Sequence, residues 1–233
     1  MRGIQPLHPT QPTGLLNLPV EIRLEIYRYS LIRQEPIQLH IVRFYPDQRD
    51  PKRHAVVLIS RQLSEEALDV LYGENVFKAS IYWDDQNALN KFALANRQRI
   101  RRLHLFAHTY VAWSLPFNVN LHTLRPTLAN LTWLYIVVLL PVGVMNWGNA
   151  LTLEQDMHEW LTQLKDVLEY VNQHVSSRAT IIVHDSNREE TRELVKKCLS
   201  NGYRKAHSWT GGIWFRSGEF SLDDGYNPTR ASP

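Results

Sequence analysis

The hydrophobic pattern near the start of the chain differs from that of an ordinary surface helix. The stretch LLNLPVEIRLEIYRYSL occupies residues 15–31, and we predict a helix in it that begins at Pro19, a residue type favoured at the first helical position. At about 100° per residue, one apolar stripe of this helix consists of Val20, Leu24, Tyr27 and Leu31. A second stripe, on the far side, consists of Ile22, Ile26 and Tyr29. Because one apolar side is enough to pack a surface helix on a core, the pattern predicts that something must cover the second side.

A second helix is predicted over residues 55–72, AVVLISRQLSEEALDVLY, and it is amphipathic in the ordinary one-sided way. Gly73 is suited to end this helix. The apolar stripe consists of Val56, Ile59, Leu63, Ala67 and Val70, and it can cover one side of the first helix. Residues 34–54 separate the two helices and contain a predicted strand, PIQLHIVRFY, followed by a polar loop.

The pattern changes at residue 76, and predicted strands and helices alternate from residue 100 to residue 202. The strands lie in VFKASIY, IRRLHLFAH, LTWLYIVVLL and ATIIVHD. Helices are predicted after Asp84, around 121–129, over 153–174, and from a capping box of Ser186 and Glu189 to a point near Gly202. Alternation of this kind favours a largely parallel sheet with crossover helices. A hairpin through Gly211 and Gly212 is predicted to follow.

Two of these strands differ in their predicted burial. In IRRLHLFAH, Leu103, Leu105 and Ala107 alternate with Arg102, His104 and His108, which predicts a half-buried strand. The nearly unbroken apolar run of LTWLYIVVLL predicts burial on both faces, as in the middle of a sheet surrounded by helices. We therefore expect a mixed α/β fold, with a helical N-terminal part packed on a largely parallel, irregular α/β sheet region.

Composition places the chain among globular proteins and predicts an intracellular location, in the cytoplasm, the nucleus or both. Apolar residues make up 44% of the 233 residues and charged residues 21%. We find no uncharged apolar run long enough to predict a membrane span, and the proline-rich first fifteen residues do not resemble a secretory signal. Cys198 is the single cysteine, so no internal disulfide is expected.

The sequence offers no complete set of catalytic residues, so we expect a non-enzymatic protein without a cofactor or a metal ion. It contains neither a glycine-rich phosphate loop nor a G-x-S-x-G nucleophile motif. His104 and His108 would lie about 13 Å apart on a strand, too far to share one ion. His184 and Asp185 follow a predicted buried strand, where sites in α/β proteins gather, but no nucleophile accompanies them.

One locally basic segment, RQRIRR at residues 97–102, allows two interpretations. It contains Arg97, Arg99, Arg101 and Arg102, which could contact phosphates as a basic patch. The arginines also suit a helix end, where cations favour the negative pole of the helix dipole, followed by a solvated strand start. We favour the second interpretation, and the small net charge of +3 does not suggest a dedicated nucleic-acid binder.

Several of these segments together resemble a known family. The first stretch resembles the start of an F-box, whose hallmark is Leu-Pro, then a Glu, then spaced aliphatic residues and a terminal Tyr-x-Leu. Those places are occupied by Leu18, Pro19, Glu21, Ile22, Ile26, Tyr29 and Leu31. The block LISRQLSEEALDVLYGENVFKASI and the later IRRLHLF resemble the next motifs of fungal F-box-like proteins. The resemblance covers about residues 14–107.

The resemblance implies that the helical module binds the adaptor subunit of a cullin–RING ubiquitin ligase, while the rest of the chain holds a protein substrate. Adaptor docking would then use Leu18, Pro19, Glu21, Ile22, Ile26 and Tyr29. The implied organisation is a disordered tail at 1–13, an F-box-like helical region with an inserted strand at 14–75, a substrate-binding α/β region at 76–220, and a flexible tail at 221–233. An adaptor bound to the second stripe would supply the cover that the first helix needs.

The insertion between the two helices leaves an alternative open. An ordinary F-box has three helices in close succession, whereas about twenty residues with a predicted strand follow the first helix here. If that strand covers the second stripe, the protein is an F-box-derived interaction scaffold that never binds a ligase. The scaffold hypothesis predicts that Ile22, Ile26 and Tyr29 are buried within their own chain. A nucleic-acid-associated protein working through the basic segment is the third hypothesis.

Overall fold

A six-stranded, entirely parallel sheet organises the described part of the chain. The computed structural model describes residues 14–39, 60–81, 89–107, 121–138, 152–200 and 202–206. The strands are β1 (Ile37–Gln38), β2 (Val76–Ser80), β3 (Arg102–Ala107), β4 (Trp133–Val138), β5 (Thr180–His184) and β6 (Arg204–Lys205). They lie side by side in the order in which they occur in the chain. The predicted mixed α/β class and the parallel sheet are confirmed.

The helices begin with α1 (Val20–Leu31) and α2 (Arg61–Glu74). They continue with α3 (Leu94–Arg99), α4 (Arg125–Leu128), α5 (Thr152–His174) and α6 (Glu189–Cys198). Short 3₁₀ turns at Leu15–Asn17 and Leu121–Thr123 precede α1 and α4. None of the helices in the described ranges is long and apolar enough to cross a membrane.

The sequential strand order explains where the helices pack. Each connection moves one strand further in the same direction, so right-handed crossovers place every crossover helix on the same face of the sheet. The main core lies on that face, where Leu105 and Ile136 pair in register and pack with Leu164 and Leu168 of α5 and Val195 of α6. The sequence predicted helices around the sheet, whereas the described helices pack on one of its faces.

Helix α2 lies between α1 and the sheet. One side of it carries Leu63, Ala67 and Val70, which pack with Tyr27 and Leu31 of α1 in a separate core cluster. On its other side, Leu68 and Tyr72 pack in the main core, and Leu71 contacts both clusters. The expected stripe of α2 does cover one side of α1, but the helix itself is buried on two sides, which the one-sided interpretation missed.

Several predicted helix boundaries are wrong. The helix predicted to start at residue 55 begins at Arg61, with Ser60 as its extended N-cap. Pro19 is the N-cap of α1, so the first helical residue is Val20. Gly73 lies within α2, which continues to Glu74 and is capped by Asn75. Ser186 does not begin a capping box, because Ser186 and Asn187 both adopt positive φ and α6 starts only after Arg188. A residue with positive φ makes a turn before the helix and cannot occupy its extended N-cap position.

The half-buried prediction for β3 is also wrong. Leu103, Leu105 and Ala107 are buried as expected, but His104 and Phe106 on the opposite face are buried too. The N-terminal Arg102 is only partly exposed. Strand β4 is buried on both faces as predicted.

Several predicted features lie outside the described residues. They are Val56 and Ile59 of the second stripe, the Asp84 helix start, His108, the hairpin through Gly211 and Gly212, and the tails at 1–13 and 221–233. The described portion of the predicted strand in PIQLHIVRFY is β1, which pairs with β2 at the edge of the sheet. The inserted strand thus belongs to the same sheet as the later strands.

Asn75 joins α1, α2 and the sheet through one buried amide. Its Nδ2 donates to the carbonyl oxygens of Leu31 at 3.1 Å and Leu71 at 2.9 Å. Its Oδ1 accepts from the backbone N–H of Arg33 at 2.8 Å. The side chain therefore satisfies backbone groups at the ends of both helices, directly before β2 begins.

Replacing Asn75 with alanine is expected to destabilise the protein by roughly 1–3 kcal/mol, because buried backbone groups would lose their partners. Chemical denaturation measures the change in the free energy of unfolding. Asn90→Ala, at an exposed position, is the matched control and should change stability by less than about 0.5 kcal/mol. Equal effects of the two substitutions would contradict the role assigned to Asn75.

Candidate protein-docking site

Exposed apolar side chains concentrate around α1. Within the described ranges, seven large hydrophobic side chains are exposed, and six of them lie between residues 16 and 29. These six form what we call the outer apolar surface: Leu16, Leu18, Val20, Ile22, Ile26 and Tyr29. Scattered exposed hydrophobic residues are normal, but such a concentration on one short segment is typical of a protein-interaction surface.

The helical spacing brings three members of this surface together. Ile22 and Ile26 are four residues apart and Tyr29 follows three later, so the three side chains are neighbours on one side of α1. Their exposed fractions are 49%, 38% and 94%, respectively. The scaffold hypothesis predicted that these residues are buried in their own chain, whereas the structure leaves them exposed.

All six residues expected to dock an adaptor are exposed. Leu18 and Pro19 lie at the start of α1, and Glu21 is in its first turn, near the positive end of the helix dipole. Ile22, Ile26 and Tyr29 follow along the helix. Val20, expected on the inner stripe, is exposed as well, since the inner contacts of α1 with α2 use Leu24, Tyr27 and Leu31 further along.

A partly buried ion pair fixes the inner side of α1 to α2. The Arg23 guanidinium donates to both carboxylate oxygens of Glu66, with Nε at 2.8 Å and Nη2 at 2.7 Å. Arg23 Nη1 also donates to the carbonyl oxygen of Leu18 at 2.6 Å. Arg23 therefore also holds the segment at Leu18 against the two helices. Its planar guanidinium group suits the bidentate contact with Glu66.

Glu66 receives further donors. The Tyr27 hydroxyl donates to it at 3.2 Å and the Gln62 side-chain amide at 3.1 Å. The hydrogen bonds from Arg23 lower the pKa of Glu66 to about 2, although partial burial alone would raise it. Burial and the neighbouring Glu66 carboxylate raise the pKa of Tyr27, so its hydroxyl keeps the proton that it donates.

Arg23 was not singled out in the sequence analysis. The signal was present in the helical wheel: Arg23 lies four residues before Tyr27, hence about 40° from it on the inner side. A second pair makes the same connection at the other end of α1. Arg28 donates to both oxygens of Glu74, at 2.9 Å each from Nε and Nη2, and to Glu25 at 2.7 Å.

The four arginines of the segment RQRIRR all make contacts within the chain. Arg99 pairs with Asp69 and Glu65 on α2. Arg97, Arg101 and Arg102 donate to the backbone carbonyl oxygens of Thr123, of Gln98 and Ile100, and of Glu74, respectively. These contacts fit the helix-end interpretation, because they attach α3 and the start of β3 to neighbouring elements.

Asp185 follows His184 at the carboxyl end of β5, and its contacts hold the local fold. Asp185 is buried and accepts from the Asn187 backbone N–H at 3.0 Å, with Lys205 Nζ at 3.2 Å. Burial alone would raise the pKa of Asp185, but the Asn187 amide and Lys205 outweigh it and lower the pKa. This carboxylate therefore fixes the turn into α6 and the edge strand β6. Cys198 is buried, and the burial raises the pKa of its thiol.

Histidine, cysteine and acidic side chains form no group of three placed to hold a metal ion in the described ranges. Comparisons of the chain with protein-family models, with curated proteins and with solved structures find no significant match.

Glu66 should make stability dependent on acid. Its folded-state pKa of about 2 lies below the ordinary value of 4.5, so the stabilisation is complete above pH 4.5 and is lost as the pH falls towards 2. Glu66→Gln should be less stable than the natural protein at pH 7, and the difference should shrink between pH 4.5 and 2. Denaturant unfolding across this range measures it.

The matched control is Glu193→Gln, which removes a carboxylate from the exposed pair of Glu193 and Lys196 on α6. Exposed pairs contribute little, so this variant should follow the natural protein at every pH. A Glu66→Gln difference that is independent of pH would contradict the partly buried ion pair.

Proposed function

We propose that the protein is a non-enzymatic substrate receptor of a cullin–RING ubiquitin ligase, and that α1 binds the ligase adaptor through the outer apolar surface. The observation that carries the proposal is the exposure of Ile22, Ile26 and Tyr29 on a helix whose opposite side packs on α2 through Tyr27 and Leu31. The F-box-like order of the residues from Leu18 to Leu31 supplies the identity of the partner.

The geometry suits a helix that is laid into an apolar groove. Such helices bind through anchors spaced three, four and seven residues apart, which is the spacing of Ile22, Ile26 and Tyr29. The Arg23–Glu66 and Arg28–Glu74 pairs hold α1 on α2 at both ends, so little orientational freedom would be lost on binding. Because α2 packs on the sheet as well, a partner bound to α1 would have a fixed orientation relative to the α/β region.

The described part of the inserted segment is compatible with docking. Ile37 and Gln38 pair with β2 in the sheet, and Leu39 packs in the main core. Those residues are committed to the sheet rather than to the outer side of α1. The α/β region would then present the protein target for ubiquitin transfer.

The two other hypotheses receive less support. The scaffold hypothesis predicted buried Ile22, Ile26 and Tyr29, in disagreement with their exposure. The nucleic-acid hypothesis relied on the arginines of residues 97–102, and these donate to acceptors within the chain. No observation in the described residues favours a phosphate-binding surface over these contacts.

Co-purification and calorimetry with the adaptor subunit of a cullin–RING ligase test the proposal. The natural chain should form a complex, and Ile22→Ser or Ile26→Ser should each cost roughly 2 kcal/mol or more, about a 30-fold loss of affinity. The double substitution Leu18→Ala/Pro19→Ala should weaken the complex as well. Because the substituted side chains are exposed, the thermal stability of the free protein should change little.

Leu94→Ser is the matched control, since Leu94 is, among the described residues, the exposed large hydrophobic residue outside the outer apolar surface, with 51% of its surface exposed. Its affinity for the adaptor should equal that of the natural chain. The proposal fails if no complex forms at tens of micromolar, or if Leu94→Ser weakens binding as much as Ile22→Ser does.

A further inference from the structure

Two exposed leucines lie on the short segment that leads into α1. Leu16 is 48% exposed and Leu18 is 38% exposed. Leu16 belongs to the 3₁₀ turn Leu15–Asn17, and Leu18 follows that turn with an extended backbone. A turn of three residues has few hydrogen bonds of its own, and apolar side chains beside it are driven towards the nearest apolar surface. The outward position of both side chains therefore points to a contact that holds the backbone.

The Arg23 side chain makes such a contact from the inner side of the segment. Its Nη1 donates to the carbonyl oxygen of Leu18 at 2.6 Å and to that of Leu16 at 3.5 Å. Arg23 is only 6% exposed, so water competes little for these bonds. Both carbonyl oxygens thus face a buried side chain, while the leucine side chains are exposed on the outside.

The other donors of Arg23 fix the guanidinium group itself. Nε and Nη2 donate to the two carboxylate oxygens of Glu66 on α2, at 2.8 Å and 2.7 Å. Because the guanidinium group is planar, its orientation on Glu66 also sets the direction of Nη1. The backbone at Leu16 and Leu18 is therefore tied to α2 through Arg23 and Glu66.

The double contact requires an arginine. A lysine at position 23 could pair with Glu66, but its ammonium group lacks the rigid fork that reaches a backbone carbonyl at the same time. Replacing Arg23 with lysine thus keeps the charge and removes the second contact. Arg28 offers a comparison at the other end of α1, because it donates to both oxygens of Glu74 at 2.9 Å and its further contact is the Glu25 carboxylate.

We propose that Arg23 is a positioning residue of the docking surface, which holds Leu16 and Leu18 in the orientation in which the ligase adaptor binds them. The inference rests on the proposed function where it concerns the adaptor, whereas the conformation of the segment can be measured in the free protein. A segment that is ordered before binding loses less entropy in the complex, so the contact contributes to affinity without touching the partner.

Amide order parameters of the free, full-length chain, measured by NMR relaxation, test the conformational part. The Leu16 and Leu18 amides of the natural chain should have order parameters of about 0.85, as in a rigid backbone. In Arg23→Lys these values should fall to about 0.6 or below, while those of Leu63 and Val70 on α2 stay unchanged. Unchanged values at Leu16 and Leu18 overturn the proposal. An equal loss at Leu63 and Val70 overturns it too, since Arg23 would then stabilise the helix pair in general.

Arg28→Lys is the matched control, because it keeps the charge and loses the bidentate contact with Glu74. Its order parameters at Leu16 and Leu18 should equal those of the natural chain. In calorimetry with the adaptor, Arg23→Lys should bind about tenfold more weakly, because its binding-competent conformation becomes a minor one, and Arg28→Lys should change by less than about twofold. Equal losses of affinity in the two variants overturn the positioning role.

The two measurements separate the positioning role from the proposed function. If the natural chain forms no complex, the proposed function fails, and the order parameters still decide whether Arg23 holds the segment. If the natural chain and Arg23→Lys bind the adaptor equally well, the positioning role fails and the proposed function stands.

The Nη1 protons of Arg23 provide a reading that needs no substitution. The hydrogen bond to Leu18 restricts rotation about the Cζ–Nη1 bond, so the two Nη1 protons of the natural chain should give separate NMR signals. A single averaged signal overturns the proposal, and this reading decides if Arg23→Lys does not fold.

Discussion

The double burial of α2 is the constraint on which the rest of the structure depends. Leu63, Ala67 and Val70 on one side receive α1, while Tyr72 on the other joins the core beneath the sheet. Helix α2 packs on the inner side of α1 through Leu24, Tyr27 and Leu31, and the opposite side of α1 stays exposed. The outer apolar surface is therefore a consequence of layering: sheet, then α2, then α1. A helix held in this way presents its remaining apolar residues to a partner in a fixed orientation, which is the physical basis of the proposed adaptor docking.

Polar contacts fix the relative position of the two helices, which hydrophobic packing alone would leave free to slide. Two helices packed through small and aliphatic residues can slide, but the bidentate Arg23–Glu66 contact fixes one end and Asn75 the other. Both contacts satisfy buried groups that would otherwise be costly, and both bind backbone atoms that bracket α1. In the sheet, the described crossover helices pack on one face, and the main core lies there.

Features that depend on the spacing of residues within one segment could be predicted from the sequence. The two apolar stripes of α1, the strands β2 to β5 and the long α5 follow from local spacing, and the parallel sheet follows from their alternation. Features that depend on two distant segments could not be predicted. The burial of Arg23 requires Glu66, more than forty residues away, and the second side of α2 becomes visible only when the sheet is in place. Likewise, local alternation predicts that His104 faces solvent, because alternation cannot show whether other residues bury that face of the strand.

The most direct measurement of the central claim is a methyl NMR titration of the isotopically labelled protein with the unlabelled ligase adaptor. The account predicts that the δ1-methyl signals of Ile22 and Ile26 shift or broaden in proportion to the complex formed, while those of Ile81 and Ile136 in the main core stay in place. Unchanged Ile22 and Ile26 signals at saturating adaptor, or changes confined to other surfaces, would contradict the assignment of α1 as the docking helix.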